Sequence, residues 1–156
     1  MITIKAFKGL RPKESLVDQI ASPPYDVLSS QEAKTMAAEN PISFLHINKP
    51  EIDLPEDVDP YSGVVYEKGR ENLVGFIENG TLIQDEIESI YIYRLTWKDH
   101  VQTGYFCLSS VDDYDNGRIK KHELTRPAKE IDRTRLIDVM NAQVGPVFLL
   151  YPSNSK

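Results

Sequence analysis

The amino-acid sequence predicts an α+β fold: a mixed β-sheet that holds a β-hairpin, with about three packed helices. The hairpin rests on SIYIYRLTW and QTGYFCLSSV, two runs rich in β-branched and aromatic residues around the short polar Lys98-Asp99-His100. VFLLY, an apolar run of the buried-strand kind, adds to the same sheet. The helices rest on SSQEAKTMAAEN, on SGVVYEKGRENLVGFIEN and on a stretch from about Pro127 to Gln143. The length of 156 residues suits a single domain over 1–156, and 40% hydrophobic content is enough for a core.

Taken from the N-terminus, ITIKAFKGL sets Ile2, Ile4 and Ala6 against Thr3 and Lys5, the period of a half-buried strand, and Pro12 ends it. SLVDQIA suits a short helix. The two prolines of SPPYDV forbid one. Ser29 and Glu32 have capping-box spacing at the head of the next helix, and Asn40-Pro41 closes it. ISFLHI reads as a strand. KPEIDLPEDVDP, with its prolines and acids, reads as an exposed loop. In the following helix Val65, Leu73, Phe76 and Ile77 share a face, Gly69 and Gly75 weaken it, and Asn79-Gly80 ends it. DDYDNG reads as a turn. Gly145-Pro146 breaks the last helix ahead of VFLLY.

Composition excludes several classes. A pI near 5.1 argues against a general nucleic-acid binder. Cys107 is the sole cysteine and cannot form an internal disulfide. MITIKAFKGL lacks the apolar stretch of a signal peptide, and no run reaches the length of a membrane span. These features predict a soluble, cytoplasmic protein with no membrane partner. His46, His100, His122 and Cys107 lack metal-site spacing, and neither a P-loop nor a dinucleotide fingerprint is present. Trp97, Tyr91, Tyr93, Tyr105 and Phe106 suit cross-strand packing better than base stacking.

One segment departs from the acidic character of the chain. GRIKKHELTRPAKEIDRTRLI, residues 117–137, holds seven basic residues against three acids, a local charge of +4 in a chain of net −6. Thr125-Arg126-Pro127 reads as a helix start, where free N–H groups and the helix dipole favour an anion. At helical spacing Lys129 and Arg133 share a stripe with Leu136 and Met140, and Arg126 and Asp132 lie beside it. The face that is apolar in the last turns is thus charged in the first turns, as expected of cations lining a cleft at the edge of a core. The alternative is a structural ion network in which Asp132 pairs with Arg133 or Arg135, and Glu130 with Arg126.

His122 precedes this helix and suits a phosphate donor or proton shuttle, or a hydrogen-bonded structural histidine. Glu123 suits a partner for His122 or Lys121, or a ligand to phosphate-bound Mg²⁺. In SPPYDV the prolines stiffen the loop that carries Asp26. A rigid carboxylate suits a general base, although aspartate is also an ordinary turn residue.

SPPYDVLSSQEA, ENPISFLHI, LIQDEIESIYIYRL, IKKHELTRPAKEIDRTRL and GPVFLLY occur in this order. Together they resemble a bacterial and archaeal family catalogued as a domain of unknown function (number one thousand and fifteen), over about Ile2 to Tyr151. The resemblance extends to pyrophosphate-dependent serine kinases and to a ParB- and sulfiredoxin-like superfamily. It implies phosphoryl transfer between a small phosphate donor and serine, in either direction. On that basis Lys121, His122, Lys129 and Arg133 hold phosphate oxygens, with Arg126 and Glu123 beside them. Thr125 adds a hydroxyl or caps the helix, Asp132 orients its basic neighbours, and Asp26 takes the serine hydroxyl proton. Mg²⁺ bridges phosphate oxygens, and the ligand is pyrophosphate, ADP, ATP or phosphoserine. The family proteins are longer, and their second half carries Asp-Gly-His-His-Arg-Tyr, a stretch absent here. The resemblance thus implies either the N-terminal portion of a longer protein or a natural short member, with half of the site missing in both cases. Two other classes use the same cations: a non-catalytic nucleotide-sensing module, which has no need of Asp26, and a protein-interaction domain, possible also as a homo-oligomer.

Overall fold

The computed structural model describes residues 2–122 and 124–151. The chain divides into two compact units. The first comprises the residues up to Asp18 together with Phe76–Thr125. The second comprises Gln19–Gly75 and the residues from Arg126 onward.

The strands lie in the first unit, and they correct the expectation of one mixed sheet. Among the described residues there are three separate two-stranded sheets, all antiparallel. Strand β1 (Ile4–Lys5) pairs with β6 (Leu108–Ser109), β2 (Leu10–Pro12) with β3 (Leu82–Gln84), and β4 (Tyr91–Trp97) with β5 (His100–Phe106). The N-terminal segment changes partner every few residues, with a single Phe7–Ser89 bridge between its two strands. Each pairing is too short to organise a common sheet.

Side chains hold these short ladders instead. Buried Gly9 donates its N–H to the Tyr91 hydroxyl at 2.8 Å, and a Cβ there would lie 2.7 Å from that oxygen. The Tyr91 hydroxyl donates to Asp85 Oδ2 at 2.5 Å, and Arg11 grips the same carboxylate with Nε and Nη2. Ile2 and Ile4 remain exposed, so the alternation read at the N-terminus does not mark a buried face.

Six helices form among the described residues, not about three. They are α1 (Val17–Ile20), α2 (Ser30–Ala37), α3 (Leu45–Asn48), α4 (Gly63–Glu78), α5 (Val111–Asp115) and α6 (Pro127–Met140). The last turn of α4, from Phe76, belongs to the first unit. Helix α5 replaces the turn expected at DDYDNG, because its middle residue finds partners. Buried Asp113 accepts the Thr3 N–H at 2.7 Å and Arg118 Nη1 at 2.8 Å. A buried carboxylate is tolerated when its acceptors are filled. These two donors hold Asp113 below the usual carboxylate range, the Thr3 N–H having the larger effect.

The second unit is helical. Helix α2 opens with a complete capping box: the Ser29 hydroxyl accepts the Glu32 N–H, and Glu32 accepts the Ser29 N–H. Ala33 and Ala37 bury against Leu45 and Ile52. ISFLHI yields α3 where a strand was expected. A short apolar run does not distinguish the two states, and here the Ser43 hydroxyl accepts the Leu45 N–H and starts a turn. KPEIDLPEDVDP is not wholly exposed either, since Pro50 and Ile52 are buried in a 3-10 turn.

Helix α4 buries Val65, Tyr66, Gly69 and Leu73, whereas Ile77 is exposed. Asn141, in the left-handed region at φ 50°, ends α6 at Met140. The buried line of α6 is Asp132, Leu136 and Met140, spaced i, i+4, i+8. Residues 147–151, the expected strand VFLLY, form no regular structure and are exposed. Strand-forming composition cannot make a strand without a neighbour to share its hydrogen bonds.

Candidate functional site

The two segments singled out in the sequence meet in the second unit. SPPYDV does not form an α-helix. Pro24 enters it extended, and Tyr25–Val27 make one 3-10 turn. On α6, Arg133 lays its guanidinium over the Tyr25 ring, 4.2 Å from the centroid. This is a close cation–π contact.

Arg133 is held from two further sides. Its Nε and Nη2 donate to Asp132 Oδ2 at 3.0 and 2.7 Å, and Nη1 reaches the Asn48 carbonyl at 3.4 Å. Neighbouring helix residues do not normally face each other. This pair meets because the long arginine side chain folds back over Asp132. Asp132 is only 5% exposed, and its other oxygen accepts the Tyr66 hydroxyl at 3.1 Å. Burial pushes the Tyr66 phenol above its usual pKa, and the Asp132 hydrogen bond adds to this, so Tyr66 remains the donor. The chain Tyr66–Asp132–Arg133–Tyr25 thus ties α4, α6 and the proline turn together.

The other predicted residues fall in three places. Asp26 is exposed in the turn, one residue from the stacked Tyr25. Arg126, the residue before α6, is exposed, and its side chain makes no capping hydrogen bond. Lys129 is exposed in the first turns, with Nζ 5.9 Å from the Tyr61 ring centroid. Lys121, His122 and Thr125 are exposed residues of the first unit, where the Lys121 ammonium lies 4.7 Å from the Tyr114 ring centroid. Glu123 lies outside the described residues. The basic island is therefore shared between the units. Arg118 is paired with Asp113, and Arg133 with Asp132.

Sequence reasoning missed Tyr25, Asn48, Tyr61 and Tyr66. Tyr66 falls between apolar positions of α4 and resembles ordinary core. For Tyr25, the available signal was its place beside Asp26 in a proline-stiffened turn.

A second polar cluster lies in the same unit. His46 sets Nδ1 2.7 Å from Asp53 Oδ1 and Nε2 3.1 Å from the Asn40 carbonyl. Both ring nitrogens face acceptors, which favours the doubly protonated ring. The Asp53 hydrogen bond raises the His46 pKa against the opposing effect of burial. Burial pushes the Asp53 carboxyl up, but hydrogen bonds from His46 and Asn72 outweigh it and leave the pKa lowered. The raised histidine stabilises the unit fully below its unfolded value near 6.5, and that contribution fades as pH rises through the folded value. The depressed aspartate acts oppositely, and its contribution is lost as pH falls below about 3.9. We expect the thermal midpoint to fall as pH rises above about 6.5, and His46→Gln to flatten that limb. Melting curves followed by circular dichroism across the pH range test this. An unchanged slope in the variant would remove His46 as the cause.

Among the described residues, no group of three or more His, Cys, Asp or Glu is placed to hold a metal, and no helix is long and apolar enough to cross a membrane.

The family described as "Protein of unknown function (DUF1015)" matches residues 4–156. The chain belongs to that family. No curated protein and no solved structure matches it. The DUF1015 match spans both segments that meet at the Arg133–Tyr25 contact.

Proposed function

We propose that this chain binds a phosphate-bearing small molecule as part of a small-molecule phosphotransferase, with serine as the acceptor that the sequence resemblance suggests. The observation that carries the reading is the stacking of Arg133 on Tyr25. It joins the basic helix to the turn that carries the exposed Asp26. Phosphoryl transfer relies on positioned cations and in-line geometry more than on covalent chemistry by the protein.

In this reading the cations divide their work. Of the five N–H donors of a guanidinium, Arg133 uses three on Asp132 and Asn48. Its main role is to position the turn. The exposed Arg126 and Lys129 meet the phosphate at the start of α6, where the helix dipole adds positive potential. Asp26 serves as the base toward the acceptor hydroxyl. Mg²⁺ would arrive with the ligand's phosphate oxygens, and one or two carboxylates suffice to hold it in such sites.

Calorimetric titration with pyrophosphate, ADP and phosphoserine, with and without Mg²⁺, tests the reading. We expect saturable binding that weakens at least about tenfold, or 1.4 kcal/mol, in Arg126→Ala/Lys129→Ala. Asp26→Asn should keep the binding and lose any serine phosphorylation. Absence of heat with all three ligands, or unchanged binding in the double variant, would count against it.

A further inference from the structure

The β4–β5 hairpin is the longest ladder of the first unit and the least protected. Seven pairs run without a bulge from Tyr91–Phe106 to Trp97–His100. The base is held, since the Phe7 ring meets those of Tyr91 and Phe106 edge-on at 5.2 and 5.5 Å. Beyond the base Ile92, Trp97, Val101 and Tyr105 are exposed, Trp97 at 73% and Tyr105 at 67%. Among the described residues neither strand has a second neighbour. A two-stranded hairpin is marginal in water, and stable sheets generally need a third strand or a packed face. Edge strands are usually blunted by lysine, proline, a bulge or a cover. Strand β5, HVQTGYF, has no lysine, proline or bulge.

The geometry points to a second copy of this chain as the cover, its β5 pairing antiparallel with β5 about a two-fold axis. An antiparallel strand facing its own copy is self-complementary, as a two-fold interface requires. The loop is two residues, Lys98-Asp99, so the closing pair Trp97–His100 exchanges hydrogen bonds. Alternation along the ladder then turns the N–H and C=O groups of Val101, Thr103 and Tyr105 away from β4. Thr103 is the middle residue of β5. Pairing centred there sets Thr103 against its counterpart and Val101 against the partner subunit's Tyr105, both favourable cross-strand pairs. Strand β4 fails the same test. Its middle residue is Arg94, and self-pairing would set two guanidinium groups opposite each other. The result is a four-stranded sheet with β4 on the outside.

Light scattering during size-exclusion chromatography, over a range of concentrations, tests the pairing. We expect a dimer of twice the 17.8 kDa chain mass. Thr103→Lys and Thr103→Glu should each run as monomers, and mixing them should restore the dimer mass. Thr103→Cys in a Cys107→Ser background should oxidise to a covalent dimer, because hydrogen-bonded pairs set Cα atoms about 5.5 Å apart, within disulfide reach. This second route stands if the charged variants do not fold. The inference is overturned by a monomer at every concentration, by a dimer that persists in both charged variants, or by a Thr103→Cys chain that does not crosslink.

Discussion

Replacing Arg133 with alanine is expected to destabilise the second unit by about 3 kcal/mol, toward the lower end of what breaking a buried ion pair costs. The reason is what remains behind. Asp132 is buried and would keep only the Tyr66 hydroxyl as a described hydrogen-bond donor. The Arg133 side chain is 26% exposed, so water reaches the gap in part and the upper end of the range does not apply. The stack on Tyr25 and the bond to Asn48 are lost with it. Arg133→Lys should fall between, because an ammonium keeps the charge but not the two-pronged grip on Asp132. Urea unfolding followed by far-ultraviolet circular dichroism reads the change. A loss under about 1 kcal/mol, the scale of an exposed pair, would mean that water already screens this one.

Two glycines of α4 should respond oppositely to the same substitution. An exposed helical glycine changed to alanine gains about 1 kcal/mol. Gly75 has nothing within 4 Å of an added Cβ, so Gly75→Ala should stabilise by about that amount. At Gly69 the Cβ would lie 2.8 Å from Pro50 Cγ and 3.4 Å from Leu136 Cδ1. Pro50 and Leu136 are both fully buried, and a proline ring cannot swing aside. Overpacking costs about 1–3 kcal/mol and here exceeds the propensity gain. Gly69→Ala should therefore destabilise by up to about 2 kcal/mol net. Paired melting curves give the comparison directly. A stabilised Gly69→Ala would show that α4 shifts away from Pro50 at little cost.

The same contrast separates what could be read from the residues alone. Helix α2 was legible to its capping box, and α6 to its proline start, because both signals act within one turn. Helix α3 and the 147–151 segment were not. Each is a short apolar run, and whether it coils, pairs or lies open depends on what the rest of the chain brings beside it. Among the described residues three small sheets stand where one was expected, and six helices where about three were, for the same reason. Helix α5, for example, is tied to a buried aspartate that is satisfied from Thr3, far away in sequence.

At the candidate site the sequence by itself determined part of the cast: a proline-stiffened turn carrying Asp26, and a basic helix start in an acidic chain. These follow from composition and local spacing. Only the tertiary structure decided the roles. It buried Asp132, turned Arg133 inward onto Asp132 and Tyr25, and left Arg126 and Lys129 outside. Helical spacing puts Lys129, Asp132 and Arg133 on one broad face, and it cannot say which of them meets the core. That choice was made by Tyr66 on α4, whose buried hydroxyl needed an acceptor and found Asp132.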